Sequence, residues 1–167
     1  MNILQSLETY VSAQKWVGTN FIILGAILIA VSSVVALFVT KSPLATGMKW
    51  GSLVCGLLII AGGISYSSFN KKILYKGESL FNKSKIEFVQ YEHERMEKVD
   101  NGFLTYQLVF AAFVVASLVV ILFVKAPLLK GIAFAVAILF IGQLIIEGFS
   151  HASIEKYTNE LRQEVQK

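Results

Sequence analysis

Four apolar runs divide the chain, at residues 20–40, 51–69, 103–124 and 131–149, and polar residues gather between and around them. Each run supplies roughly the twenty apolar residues a helix needs to cross the hydrocarbon core of a bilayer, so each predicts a transmembrane helix. The stretches outside the runs follow a different rhythm. Leu4, Leu7 and Val11 recur at spacings of four and three ahead of the first run, and Phe88 and Tyr91 repeat the stripe ahead of the third, with Arg95 at its next position. Ile154, Tyr157, Leu161 and Val165 extend the pattern beyond the fourth. Such spacing places the apolar side chains on one helical face, so three amphipathic helices are expected. Gly18 and the Asp100-Asn101-Gly102 run predict breaks where the first two of these helices meet their spans.

The chain also repeats itself. FVTKSPLATG at 38–47 and LFVKAPLLKG at 122–131 align without a gap at an offset of 84 residues, and nine of the thirty positions from Gly18 to Gly47 match their counterparts from Gly102 to Gly131. The matched turn residues have physical roles. Lys41 and Lys125 end the odd-numbered spans and can reach the headgroups, and Pro43 and Pro127 suit the first turn of the next helix. Gly47 and Gly131 fall where a small residue lets two backbones approach. The pattern predicts an all-α membrane protein of four transmembrane helices in two tandem hairpin repeats, residues 1–77 and 78–167, each an amphipathic helix followed by a hairpin. Each unit crosses an even number of times, so the two copies are expected to share one orientation.

Composition agrees with the membrane class: 55% of residues are hydrophobic and 16% charged, against about 45–50% and 25% in soluble domains. Some twenty residues precede the first run, and that run exceeds the about 7–15 apolar residues of a signal peptide, so it reads as a retained span. Of fifteen basic residues, eleven lie in the terminal segments and the central segment, and four in the hairpin loops (Lys41, Lys49, Lys125 and Lys130). This bias predicts cytoplasmic termini, in a bacterial cytoplasmic membrane. Lys71, Lys72, Lys76, Lys83 and Lys85 crowd the exit of the second span; they are candidates for anionic-lipid contact and also the ordinary positive flank of a span. The net charge of +4 accompanies no nucleic-acid recognition pattern.

Reactive residues are few. The stretch YEHERMEKVD at 91–100 crowds carboxylates around His93, but helical spacing pairs Glu92 with Arg95 and Glu94 with Lys98, which reads as a solvated charged face. Gln143, Glu147, His151 and Glu155 recur every fourth residue along the last span and its extension, and an intramembrane carboxylate is a candidate cation or proton site. Gly51, Cys55, Gly56, Gly62 and Gly63 give the second span small residues suited to helix packing. The lone cysteine excludes an intramolecular disulfide. No cofactor, metal or catalytic motif is expected. The residues point to a non-catalytic protein acting by helix–helix interaction with a protein partner or a second copy. The alternative is an oligomeric transporter or channel using Glu147 and His151.

Overall fold

A computed structural model of the chain describes residues 2–39 and 42–166, so the hairpin residue Lys41 lies outside the described part. Four helices account for nearly all of it: α1 (Ile3–Phe38), α2 (Pro43–Lys83), α3 (Lys85–Phe123) and α4 (Pro127–Val165). All four are long and apolar enough to cross a membrane, the mark of an integral membrane protein. At 36 to 41 residues and 1.5 Å per residue each is about 54–62 Å long, roughly twice the thickness of a bilayer's hydrocarbon core. About half of every helix must therefore stand outside the apolar layer.

The expected breaks at Gly18 and at Asp100-Asn101-Gly102 are absent, because α1 and α3 pass through both without interruption. Stripe and span are two ends of one helix. A helical glycine costs only about 1 kcal/mol relative to alanine, and at Gly18 that cost is offset by packing: a β-carbon there would stand 3.1 Å from the Gly63 carbonyl oxygen and collide with Ser67. Polar residues set the helix ends. Asn2 and Gln5 form a reciprocal capping box at the start of α1. Ser84 alone separates α2 from α3; its extended backbone donates to the Leu80 carbonyl at 2.9 Å, and its hydroxyl accepts from the Glu87 amide at 3.3 Å. Pro43 and Pro127 are the first residues of α2 and α4, where the missing amide hydrogen costs nothing.

The helices run up and down in turn. α1 packs on α2, α3 on α4, and α2 on α4, while α1 also meets α4. Of the neighbouring pairs, α2 and α3 have the least contact, and α1 and α3 stand on the diagonal. Two cores follow. In the half holding the termini and Ser84, Leu7, Val11, Phe88, Met96, Tyr157 and Leu161 are fully buried together. Members of all three apolar stripes meet there, although Tyr91 stays at the surface and its hydroxyl accepts from the Lys76 ammonium at 2.9 Å. In the half holding the two hairpin turns, Val17, Phe21, Leu28, Cys55 and Ile59 form a smaller core between α1 and α2.

Glycine decides how closely the helices approach. Gly18 and Gly25 of α1 face Gly63 and Gly56 of α2: a β-carbon at Gly25 would stand 2.7 Å from the Gly56 carbonyl oxygen, and one at Gly56 2.8 Å from that of Gly25. Gly62 is exposed, and a β-carbon there would meet nothing within the chain. The α2–α4 contact is reciprocal as well. A β-carbon at Gly47 would strike the backbone at Leu128, one at Gly131 the backbone at Leu44, and one at Gly51 would stand 3.0 Å from the Ala135 side chain. By contrast, Phe113 stacks on Phe140 at 4.5 Å and Phe103 on His151 at 4.3 Å between α3 and α4. Glycine thus joins α1 to α2, aromatic rings line the contact of α3 with α4, and a gap remains between α2 and α3.

Candidate functional site

Where the apolar spans give way to the polar half, the bundle interior holds two connected sets of polar side chains. In the first, the Arg95 guanidinium grips Glu92 with both arms, Nε donating to Oε1 at 3.0 Å and an Nη to Oε2 at 2.6 Å. The Tyr157 hydroxyl, from α4, donates to the same Oε2 at 3.1 Å. Tyr10, from α1, stacks on Tyr157 with ring centroids 5.1 Å apart and lies beneath the Arg95 guanidinium at 5.4 Å. The i, i+3 pairing matches the sequence pattern, but its setting differs from the expected solvated face: Glu92 has no solvent exposure. The reason is tertiary, since Tyr10 and Tyr157 close over it from two other helices. Burial, reinforced by the Glu92 charge, raises the Tyr157 hydroxyl above the usual phenol range. Burial likewise raises Tyr10, opposed by the Arg95 charge. The hydrogen bonds and charge of Glu92 outweigh burial at Arg95 and hold its guanidinium protonated.

The second set centres on Gln14, which is fully buried in α1. Its Oε1 accepts from the Tyr66 hydroxyl of α2 at 2.5 Å, and its Nε2 donates to Ser153 Oγ of α4 at 3.0 Å. Ser153 in turn donates to the Ser150 carbonyl at 2.8 Å. Together the two sets tie all four helices at one level. Gln14 and Tyr66 belong to no sequence motif; the only signal in the chain was a polar residue on the apolar side of the first stripe.

Beside these sets lies a cavity of about 490 Å³, bounded mainly by α2 and α3 and closed behind by Tyr10 and Glu147. Of the residues singled out on the last span, Glu147 lines the cavity and Gln143 does not. His151 stacks on Phe103, and the Glu147 carboxylate accepts a long 3.5 Å hydrogen bond from Ser150. Gln143 keeps a buried carbonyl oxygen without a hydrogen-bond partner among the described residues. The fourth member, Glu155, is exposed.

The lysines after the second span, Lys71, Lys72, Lys76, Lys83 and Lys85, are all exposed. Lys85 pairs with Glu164 at 2.8 Å, and Lys76 lies 4.1 Å from the Tyr91 ring centre. At the far end Lys125 is exposed in the α3–α4 turn. Cys55 is a buried free thiol. Among the described residues no three His, Cys, Asp or Glu side chains are grouped to hold a metal ion. The chain matches no model of a known protein family, no curated protein and no solved structure.

Proposed function

We propose that this chain is a non-catalytic integral membrane protein that works by packing the outer face of α3 against another transmembrane helix, of a second copy or of a partner protein. The observation that carries this reading is the uneven covering of the spans. In the most apolar stretch of α3 only 6% is buried by the chain's own packing, against 22 to 28% in the other three helices. Leu104, Leu108, Val115, Leu118 and Leu122 are exposed there, and with the half-buried Ala111 they recur at alternating spacings of four and three. That is the seam along which helices pack by knobs into holes.

Two further elements belong to the proposal. The chain is a tandem duplication of one helical hairpin, supported by the 84-residue match and by the reciprocal seating of Gly47 on Leu128 and Gly131 on Leu44. Both termini and the Ser84 turn face the cytoplasm of a bacterial cell, supported by the concentration of basic residues at that end. Cation conduction through Gln143, Glu147 and His151 has less behind it, because Phe103 occupies His151 and Gln143 stands away from the cavity.

A photoactivatable benzophenone side chain at position 115, irradiated in native membranes, tests the reading. It should yield one discrete protein adduct, whereas the same group at the exposed α2 position 57 should react with lipid. Lipid adducts alone at both positions would contradict it.

A further inference from the structure

We propose that the cavity between α2 and α3 binds a lipophilic organic cation, with the Glu147 carboxylate as its counter-charge. At about 490 Å³ it falls within the range of small-molecule sites, about 300–1,000 Å³. Its walls are rich in rings, among them Tyr66 and Phe69 from α2, and Phe103, Tyr106 and Phe110 from α3. Aromatic faces carry negative potential and attract organic cations, more strongly when water is excluded.

The charges in the wall distinguish the ligand class. Arg95 borders the cavity, but its charge is already matched by two hydrogen bonds to Glu92. Lys98 borders it too and is exposed, so water solvates its ammonium. Glu147 is partly buried and has no ionic partner among the described residues; its hydrogen bond from Ser150 is 3.5 Å long. A cation that enters therefore meets an uncompensated carboxylate, whereas an anion meets a solvated lysine and a neutralised arginine.

The position of the cavity sets the remaining requirement. It spans the level where apolar helix gives way to polar helix, and Phe69 and Tyr106, 60% and 65% exposed, stand at its edge. A ligand arriving there comes from the bilayer, so it must be lipophilic as well as positive. The inference is independent of the role proposed for α3 and stands or falls separately.

Tetraphenylphosphonium and tetraphenylborate share shape and size and differ in charge, so equilibrium dialysis of the purified full chain against each, corrected for uptake by protein-free micelles, tests the site. The phosphonium should bind saturably at one per chain, and the borate should not. Glu147→Gln should weaken phosphonium binding by at least about tenfold, since it removes one member of a desolvated charge pair. Phe69→Ala, which alters an exposed ring outside the two cores, should weaken it severalfold and decides the matter should Glu147→Gln fail to fold. Phosphonium binding unchanged in both variants would overturn the proposal. So would tighter binding of the borate that is lost in Lys98→Ala, which would make the occupant an anionic amphiphile such as a phospholipid.

Discussion

Glu92 lies out of reach of solvent, and a carboxylate there is tolerable only because three hydrogen bonds share its charge. Removing one partner of a buried pair typically costs about 3–5 kcal/mol, so Arg95→Ala should destabilise the bundle severely. Tyr157→Phe removes one hydrogen bond to a charged group and should cost about 1.5–3 kcal/mol. The same tyrosine gives a pH test. Its hydroxyl, like that of Tyr10, is raised in the folded chain by burial first, so the unfolded chain loses these protons at lower pH than the folded one. The stabilisation is complete below the ordinary phenol value of about 10 and is lost as pH rises above it. Thermal unfolding in detergent should therefore show a melting temperature that falls as pH passes about 10, and falls less steeply in Tyr157→Phe. Parallel curves for the two proteins would contradict the assignment. The pairing of Glu92 with Arg95 could be read from a spacing of three residues; its burial could not, because the covering rings come from α1 and α4, remote in sequence.

Between elements, what matters at each glycine is the backbone it meets. Gly25 and Gly56 each sit against the other helix's carbonyl, while Gly62 faces outward. Gly56→Leu should separate α1 from α2 and cost more than the about 1–3 kcal/mol typical of overpacking, because backbone cannot move aside as a side chain can. Gly62→Leu should stay within about 0.5 kcal/mol of the parent, and comparing their melting temperatures in one detergent checks both. Equal losses would mean that the facing of α2 is wrong. Small residues in the second span are visible in the sequence, but which of two adjacent glycines faces a neighbour depends on how the helix is rotated. The apolar runs likewise revealed the spans and hid the continuity of α1 and α3; at Gly18 a glycine's weak helical propensity reads as a break until Ser67 and Gly63 are seen to require it.

At the scale of the whole molecule, one bundle crosses two environments. Each helix is about twice as long as a bilayer's hydrocarbon core is thick, and the polar half carries a packed core of its own around Leu7, Phe88, Met96 and Leu161. Beside this core, Gln14, Tyr66 and Ser153 tie α1, α2 and α4 together by hydrogen bonds. The four spans were legible because a long apolar run is recognisable whatever the packing arrangement. The cavity was not, since it arises from a difference between two helix pairs: glycine contacts join α1 to α2, and the rings of Phe103, Phe113 and Phe140 stand between α3 and α4. That difference also leaves α3 the least covered span, on which the functional proposal rests. Native mass spectrometry of the protein released from lipid nanodiscs formed directly from its own membrane tests that proposal most directly. The account predicts a complex, either two or more copies or one chain with a protein partner, that is lost when Val115 is replaced by Arg; a single chain with bound lipid alone, in parent and variant alike, would contradict it.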